Sequence, residues 1–355
     1  MEQDDRVTSA GHLPRGTPPD HDALDEELSS PPEFLVRAVS RWTGHLAVIG
    51  AGGKMGPTLA RMAKRAFDRA GLSGRVYAVS RFSDPAVRDR LEKAGVETVP
   101  LDLAEPDAAA SLPEAERVVY MAGQKFGTDA LPSATWASNV LLAAKVAKRY
   151  RKSRIAAFST GNVYPLTPVV YGGSRECDAP GPVGEYAQSA LGRERILEHL
   201  SRLHGTPMTL IRLNYAVEYR YGVLADLADL LLEGRPIDLR MGAVNVIWQT
   251  DACAMALGAL DLAESPPRIL NVTGPETASV RSLARDLGER LERTPLFSGS
   301  EGENALLSNA SQAFARFGYP SVCLAEAVER TARYLKSGGR LLGRPTHFAE
   351  REGRF

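Results

Sequence analysis

The sequence has few of the residues that cross-link small domains or bind metal ions. Its three cysteines, Cys177, Cys253 and Cys323, are far apart and odd in number. This pattern is typical of reduced thiols in a cytoplasm and not of a disulfide framework. The six histidines include no His/His or His/Cys pair at the spacing of metal ligands. We therefore expect a cytoplasmic protein without a metal site.

Excess charge of one sign and long apolar runs are also missing. Lysines and arginines number 43, as do aspartates and glutamates, so the formal net charge is zero. No basic field therefore indicates nucleic acid or an anionic membrane surface as a partner. No run of eighteen apolar residues is present and the first residues are acidic and polar, so we expect neither a transmembrane helix nor a signal peptide. We therefore expect the partner to be a small-molecule substrate.

Local composition divides the 355 residues into five parts. Residues 1–30 mix prolines with acidic residues and have few large apolar side chains, which predicts a disordered extension. Residues 31–44 predict a short amphipathic strap that packs on the main domain. The remaining parts are a dinucleotide-binding domain over 45–205, a substrate-binding lobe over 206–340 and a tail over 341–355.

From His45 onward, short apolar stretches alternate with helical patterns. HLAVIG, RVYAVS, VETVP, RVVYMAG and RIAAFST are typical of strands, and segments such as MGPTLARMAKRAFDRA between them are typical of helices. This alternation predicts a parallel sheet covered by helices on both faces. The expected fold is α/β, a Rossmann-type doubly wound parallel sheet with a smaller α/β C-terminal substrate lobe. Such folds bind ligands at the C-terminal edge of the sheet.

A glycine-rich loop follows the first strand directly and opens a helix. The spacing of Gly50, Gly53 and Gly56 permits a tight turn, close approach to a pyrophosphate and close helix–strand packing. The N-terminus of the helix offers N–H groups to the phosphates. The loop therefore predicts a dinucleotide site in which Lys54 and Met55 also take part, with a plain strand–helix turn as the alternative.

The end of the second strand bears on which dinucleotide is bound. An acidic residue at this position suits the ribose hydroxyls of NAD, whereas an arginine accommodates the 2′-phosphate of NADP. The sequence places Ser80 and Arg81 there. Arg81, helped by Lys54, therefore predicts NADP(H), with NAD(H) as the alternative.

The order and spacing of the motifs resemble those of the extended short-chain dehydrogenase/reductase superfamily, in its NAD-dependent epimerase/dehydratase branch. The resemblance runs from about His45 to about Leu335. The matching stretches, in chain order, are GAGGKMG, LDL, YMAG, WASNVLLAAK, FSTGNVYP and GEYAQSALGRERILE. The resemblance also implies a homodimer formed through helices around 134–150 and 185–204.

The same resemblance assigns further cofactor contacts. It implies that Asp102, with Leu103 beside it, contacts the adenine ring. It also implies that Met121 and Ala122, at the end of the fourth strand, pass the nicotinamide ribose.

The resemblance further implies a catalytic pair. Tyr186 matches the tyrosine of the branch's YxxxK helix, beside the cofactor, and Thr160 matches the catalytic Ser/Thr. Tyr186 would exchange a proton with a substrate hydroxyl while hydride passes between the substrate carbon and the nicotinamide. Thr160 would hold the substrate oxygen.

Ala190 stands where the family places the lysine of that motif. Such a lysine binds the nicotinamide ribose, and one cation within about 4–6 Å shifts a pKa by roughly 1–3 units. Three interpretations stay open. Another cation, Lys125 first and the more distant Arg193 second, replaces the lysine; Lys125 or an acid such as Glu176 acts as the main acid/base; or the chain binds a ligand without turnover.

The substrate is expected to be small. Aligned through Asp251, Val244 falls where family members acting on nucleotide sugars carry an arginine that binds the diphosphate, which argues against a nucleotide sugar. Amide and aromatic side chains suit a small polar, sugar-like molecule. The candidate lining residues are Asn139, Asn214, Tyr215 and Trp248.

The sequence thus predicts an NAD(P)-dependent oxidoreductase or epimerase acting on a hydroxyl or ketone of a small polar substrate. Two alternatives stay open. One is a non-redox lyase or cyclase, and the other is a dinucleotide-binding sensor or scaffold on the same fold.

Overall fold

The structure, a computed structural model, describes residues 21–128 and 130–354. Its centre is a seven-stranded sheet in which all neighbouring strands are parallel. The strands are β1 (Leu46–Ile49), β2 (Val76–Ser80), β3 (Glu97–Pro100), β4 (Arg117–Tyr120), β5 (Arg154–Thr160), β6 (Met208–Leu213) and β7 (Arg268–Val272). Their order across the sheet is β7-β6-β5-β4-β1-β2-β3.

Helices cover both faces of this sheet. Within the described residues the α-helices are α1 (His21–Leu28), α2 (Glu33–Val39), α3 (Gly56–Arg69), α4 (Pro85–Lys93), α5 (Pro132–Trp136), α6 (Leu142–Arg149), α7 (Gly184–His204), α8 (Val223–Leu232), α9 (Gln249–Gly258), α10 (Val280–Leu291), α11 (Ser311–Phe317) and α12 (Leu324–Lys336). A π-helical turn, Ala137–Leu141, joins α5 to α6. None of these helices is long and apolar enough to cross a bilayer.

Strand β1 shows why the sheet has two covered faces. Successive side chains of a strand point to opposite faces, and all four residues of β1 are buried. Leu46 and Val48 belong to the core formed with α3 and α9, whereas Ala47 and Ile49 belong to the core formed with α6 and α7. The predicted α/β, Rossmann-type fold is confirmed.

The boundary predicted at residue 205 does not divide the chain into two consecutive domains. Strands β6 and β7 lie in the main sheet, next to β5. Leu210 and Ile211 explain this return, because each is buried on a different face of the sheet. The smaller lobe is built instead from α8, α10 and α12, which pack around an apolar cluster that includes Leu227 and Leu287.

Four two-residue strand pairings complete the lobe and the loops beside it. They join Thr167–Pro168 to Asn304–Ala305, Ala216–Val217 to Ile247–Trp248, Ile237–Asp238 to Phe297–Ser298, and Ala243–Val244 to Ala278–Ser279.

The predicted disordered extension is wrong for residues 21–28, which form α1. Leu24 and Leu28, one helical turn apart, are both buried. Asp25 of the same helix pairs with Arg220 at 3.1 Å. Two buried apolar residues and a partly buried ion pair thus stabilise a stretch whose composition is mostly polar. Residues 1–20 lie outside the described part of the chain.

The segment 31–44 packs on the main domain, as the sequence predicts. Leu35 and Val39 of α2 are fully buried, and Trp42 nearly so, in the cluster that contains α3 and α9. The Trp42 indole N–H also donates to the Asp261 carboxylate at 2.7 Å.

Candidate active site

The site lies where the order of the strands reverses. β1 pairs with β2 on one side and with β4 on the other, so the connections leaving β1 and β4 diverge. In folds of this type the ligand crevice lies at this point, at the carboxyl ends of the strands. Its walls are the loop from Gly50 to Gly56, the loop after β4, the end of β5 and the start of α7.

Two of the three motif glycines shape the phosphate loop itself. Gly50 has φ +91°, and a Cβ there would lie 2.6 Å from the Ala122 backbone nitrogen. A Cβ at Gly56 would overlap the Ala51 carbonyl. Gly53 differs, because its nearest neighbour would be the Gly50 carbonyl oxygen at an ordinary 3.6 Å. The space beside Gly53 is therefore room that a bound group can fill.

The end of β2 meets this loop. A Cβ at Gly52 would lie 2.5 Å from Ser80 Oγ, which places Ser80 against the loop. Arg81 follows with an exposed guanidinium, whose Nη1 lies 3.9 Å from Asp102 Oδ2. Asp102 also accepts a hydrogen bond from the Ala104 N–H at 2.9 Å. Ser80, Arg81 and Asp102 thus form one rim of the crevice.

Thr160 and Tyr186 are brought together, as their alignment predicts. Thr160 ends β5 and Tyr186 lies in the first turn of α7, so that the Thr160 hydroxyl is near enough to influence the pKa of Tyr186. Burial raises the pKa of Tyr186, while the Thr160 hydrogen bond and the charge of Arg193 lower it. The pair therefore holds a protonated tyrosine beside a hydroxyl that stabilises the tyrosinate.

A buried ion pair fixes α7 against the sheet. The Arg212 guanidinium on β6 donates to Glu194 on α7, from Nη2 to Oε2 at 2.6 Å and from Nε to Oε1 at 2.9 Å. Ser159 Oγ, next to Thr160, donates to the same carboxylate at 2.5 Å. The helix that carries Tyr186 is therefore attached to both β5 and β6.

Asn139 holds the loop after β4 instead of facing the crevice. Its Oδ1 accepts from the Gln124 N–H at 2.8 Å, and its Nδ2 donates to the Gln124 carbonyl at 3.0 Å and to Ser189 Oγ at 2.8 Å. The residue is fully buried. Both amide hydrogens are used within the protein, so the predicted substrate contact is replaced by a positioning role.

Ala190 brings no charge to the site. It is fully buried and packs against Val163 and Tyr164. One turn further along α7, Arg193 donates from Nη1 to the Ala122 carbonyl at 3.1 Å. Arg193, the second of the two cations that the sequence analysis considered as replacements, thus bonds the backbone at the end of β4.

Lys125 is the other cation near the tyrosine. Its ammonium is 5.9 Å from the centroid of the Tyr186 ring and donates to the Thr346 carbonyl at 2.8 Å. Burial lowers the pKa of Lys125 to about 8, and the charge of Asp226 opposes this shift. Lys125 therefore lies over the ring of Tyr186, at the outer range of a cation–π interaction.

Lys54, which the sequence predicts to act with Arg81, lies over two aromatic rings, those of Tyr221 and Phe126. Its ammonium lies 3.6 Å from the centroid of the Tyr221 ring. Burial, followed by the charges of Lys125 and Arg344, lowers the pKa of Lys54 to about 7. The Tyr221 ring and these charges thus form the surroundings of Lys54, whereas the charged partner of Arg81 is Asp102.

Sequence reasoning missed a further wall of the crevice, the chain after α12. Asp226 of α8 accepts from Thr346 N–H at 2.8 Å and from Thr346 Oγ1 at 2.5 Å. Tyr215, at φ +43°, donates from its hydroxyl to the Phe348 carbonyl at 3.4 Å. Residues 341–355 carry no motif that could have indicated this position.

The remaining predicted lining residues are buried in the protein. Trp248 is part of the core of the smaller lobe, with its ring edge-on to Tyr219 at a centroid distance of 5.0 Å. Its predicted substrate contact is wrong for this reason. Asn214 is also buried, and its Nδ2 donates to Asn245 Oδ1 at 2.8 Å. Of the four predicted lining residues, Tyr215 is the one that reaches the crevice.

Two other residues considered in the sequence analysis, Glu176 and Val244, are held by contacts within the protein. Glu176 accepts hydrogen bonds from the Asn271 N–H and from Gln312 Nε2, each at 3.0 Å, which gives this carboxylate a structural role. Val244 is fully buried. Within residues 21–128 and 130–354, no group of three or more His, Cys, Asp or Glu side chains could hold a metal ion.

Solved structures with the same fold include nucleotide-sugar enzymes. UDP-glucose 4-epimerase from Thermotoga maritima, with UDP-glucose, matches with a TM-score of 0.69 at 17% identity, over 83% of this chain and 99% of that one. UDP-glucuronic acid 4-epimerase from Bacillus cereus, with UDP-glucuronic acid and NAD, gives 0.67 at 17% identity, over 82% and 99%. DesIV, a dTDP-glucose 4,6-dehydratase from Streptomyces venezuelae with NAD and TYD bound, gives 0.71 at 18% identity, over 82% and 97%.

At identities this low, these structural similarities show a shared fold and nothing further. No curated protein sequence matches the chain. The sequence pattern of the NAD dependent epimerase/dehydratase family, however, matches residues 46–237. That match covers more than half of the chain, from β1 into the smaller lobe, and includes the glycine loop, Thr160 and Tyr186. The chain therefore belongs to the NAD dependent epimerase/dehydratase family.

Proposed function

We propose that the protein is an NAD(P)-dependent oxidoreductase or epimerase acting on a hydroxyl or ketone of a small polar, sugar-like molecule. The observation that carries this proposal is that Thr160, at the end of β5, and Tyr186, in the first turn of α7, meet at the sheet edge that also bears the glycine loop. A proton donor and a hydroxyl that stabilises its anion are the groups that alcohol–ketone interconversion needs.

The residues at the switch point fit a dinucleotide. Gly50 and Gly56 have no room for a side chain, and the space beside Gly53 is open, which suits a pyrophosphate at the N-terminus of α3. When bound, the nicotinamide group accepts or donates the hydride. The exposed Arg81 at the end of β2 supports NADP(H) over NAD(H), because a guanidinium accommodates a 2′-phosphate.

Side chains of the protein hold and transfer the proton. Burial keeps Tyr186 protonated at neutral pH, so it is poised to donate to a ketone oxygen. Thr160 orients the same oxygen and shares the negative charge that develops on it. Lys125, over the ring of Tyr186, adds positive charge on the substrate side.

Two features of the smaller lobe support a substrate without a nucleotide. Val244 offers no cation for a diphosphate, and residues after α12 lie against Tyr215, whose hydroxyl donates to the Phe348 carbonyl. The hydroxyls of Thr160, Tyr215 and Tyr221 and the ammonium of Lys125, all near Tyr186, suit a polyol or a small sugar.

Calorimetry and absorbance together test the proposal. NADP+ and NAD+ are titrated separately into the protein, and we expect binding with NADP+ preferred. A panel of polyols, free sugars and nucleotide sugars is then screened for a change at 340 nm, or in the fluorescence of bound reduced nicotinamide if the redox cycle is closed. Tyr186→Phe should abolish the signal and leave binding intact. Absence of affinity for either dinucleotide would refute the proposal.

A homodimer belongs to the same proposal. Trp136 at the end of α5, Leu141 before α6 and Leu203 in α7 are exposed apolar side chains, and helices α6 and α7 pack side by side. Sedimentation equilibrium should give twice the mass of the chain, and Leu141→Glu should shift the distribution toward the monomer.

A further inference from the structure

Arg193 is a buried cation without a carboxylate. It is 6% exposed, its Nε has no hydrogen-bond partner among the described residues, and no acidic side chain of those residues forms a salt bridge with it. The neighbouring Arg212, at 1% exposure, shows the usual arrangement, because it pairs with Glu194. Burying an unpaired charge is costly. We therefore expect a bound group to supply the further hydrogen-bond acceptor that the described residues do not offer to Arg193.

Helix geometry explains where this side chain points. Cα–Cβ bonds in an α-helix tilt toward its N-terminus, so a long side chain covers the turn before its own Cα. Arg193 therefore reaches back over the turn of Ala190 toward Tyr186. The methyl group of Ala190 leaves that path open, where a longer side chain would compete for it.

The guanidinium ends beside the cofactor crevice. Nη1 bonds the Ala122 carbonyl at 3.1 Å, and a Cβ at Gly123 would lie 3.0 Å from the same nitrogen. Ala122 in turn contacts Gly50 of the phosphate loop. The guanidinium thus stands between the start of the phosphate loop and the catalytic tyrosine.

We propose that Arg193 takes the place of the lysine missing at Ala190, holding the hydroxyl groups of the nicotinamide ribose at the end of β4 and placing positive charge beside Tyr186. The proposal rests on the proposed function, because it needs a bound dinucleotide. It assigns the ribose side of the tyrosine to Arg193 and leaves Lys125 on the substrate side.

The charge surroundings of Tyr186 agree with this division. The positive charge of Arg193 on α7 and the Thr160 hydrogen bond from β5 lower the pKa of Tyr186. Lys125 from the β4 loop lies over the ring, and Tyr215 and Tyr221 interact electrostatically from across the crevice. Removing Arg193 should therefore raise the pKa of Tyr186 further.

Three variants test the assignment: Arg193→Met, Arg193→Met with Ala190→Lys, and Lys125→Met. Calorimetry with NADP+ should show about tenfold or more loss of affinity for Arg193→Met, since a charge-assisted hydrogen bond is removed. The double variant should recover affinity, and Lys125→Met should keep it. The tyrosinate absorbance of Tyr186, taken as the difference from Tyr186→Phe without cofactor, should appear at higher pH in Arg193→Met.

Each outcome separates the possibilities. If the unmodified chain binds no dinucleotide, the proposed function fails. If it binds and Arg193→Met binds equally well, with an unchanged tyrosinate titration, the assignment to Arg193 is overturned. Thermal unfolding distinguishes a structural role: because an unpaired buried charge is replaced by an apolar group, Arg193→Met should be as stable as the parent or more so.

A second, independent observation is the course of residues 343–353. Lys125 Nζ donates to the Thr346 carbonyl at 2.8 Å, and Phe348 is 4% exposed. Arg351 Nη1 donates to the carbonyls of Arg240 at 2.6 Å and Asn304 at 2.8 Å. A Cβ at Gly184, two residues before Tyr186, would overlap the Gly353 carbonyl.

These contacts run from the loop after β4, across the smaller lobe, to the start of the catalytic helix. We infer that residues 343–353 form the outer wall of the substrate site and set its specificity, by filling the space that a nucleotide attached to the substrate would need. This inference also rests on the proposed function, although it is tested with a ligand other than the cofactor.

The test compares the full chain with a variant that lacks residues 341–355 and with Arg351→Ala. The point variant loses two carbonyl contacts and keeps Phe348 buried, so it preserves the fold if the deletion does not. Uridine diphosphate, the probe, should bind the full chain weakly or not at all in calorimetry, and both variants about tenfold or more tightly. NADP+ affinity should stay the same. Equal affinity of all three proteins for uridine diphosphate would overturn the inference.

Discussion

The glycines of the phosphate loop provide a test in which fold and cofactor effects separate. Gly50→Ala and Gly53→Ala add the same methyl group three residues apart. At Gly50 the methyl meets the Ala122 backbone at 2.6 Å, and φ is +91°. At Gly53 the nearest atom is 3.6 Å away and φ is not in the left-handed region. The two variants should therefore fail in different ways.

The magnitudes follow from these surroundings. The left-handed backbone alone costs an alanine about 1–2 kcal/mol, and the overlap with Ala122 adds to this. Gly50→Ala should thus lower the midpoint of thermal unfolding by at least about 3 °C, at about 2 °C for each kcal/mol in a chain of this size. Gly53→Ala should leave stability unchanged or raise it by up to about 1 kcal/mol, through the unfolded state.

The affinity for the dinucleotide is the second quantity measured. The methyl of Gly53→Ala enters space that the pyrophosphate should occupy, so calorimetry should show about tenfold or more weaker binding of NADP+, a loss of about 1.4 kcal/mol or more. Differential scanning fluorimetry supplies the stability of each variant. If Gly53→Ala binds NADP+ as tightly as the parent, the pyrophosphate does not lie beside this glycine and the reasoning is wrong.

Three other substitutions probe the surroundings of the site. Glu194→Gln leaves Arg212 buried and unpaired, so urea denaturation should show a loss of about 3–5 kcal/mol; a loss below about 1 kcal/mol would contradict the attachment of α7 to the sheet. Lys54→Met removes an ammonium whose pKa burial lowers to about 7. The variant should be more stable than the parent below about pH 7, and the difference should fade as pH rises toward 10.5, where the unfolded lysine also loses its proton; a difference independent of pH would refute the shift. Trp248→Ala should cost about 3–5 kcal/mol of stability while the KM for the substrate stays unchanged, and a raised KM with unchanged stability would return Trp248 to the substrate site.

The parts of the site that follow from local chemistry could be predicted from the sequence. The glycine loop, the end of β2 and the pairing of Thr160 with Tyr186 each depend on a strand end and on the residues next to it. Parallel strands bring such ends to one edge of the sheet. Order and spacing along the chain were therefore enough to place them.

Other parts depend on contacts between distant segments. Asn214 follows a strand and Trp248 lies within a two-residue strand, yet tertiary packing buries both in the protein. Asp226 lies in an apolar helical pattern that gives no sign of its hydrogen bonds to Thr346, 120 positions away. Periodicity reports which face of an element is apolar, but it does not report which segment will lie against that face.

Arg193 shows a third limit. The motif reports where a cation normally stands, four residues after the tyrosine, and the sequence shows that alanine replaces it. Whether a longer side chain from the next turn reaches the same place depends on the backward tilt of helical side chains and on the room above Ala190. The structure supplies both, and neither can be read from spacing alone.

The central claim is that a dinucleotide binds with its nicotinamide end against Tyr186, Thr160 and Arg193. A crystal structure of the complex with NADP+ measures this directly. The account predicts a nicotinamide ribose hydroxyl within about 2.7–3.2 Å of the Arg193 guanidinium, with the nicotinamide ring facing the Tyr186 and Thr160 hydroxyls. A nicotinamide directed away from Tyr186, or a ribose that contacts Lys125 and not Arg193, would contradict it.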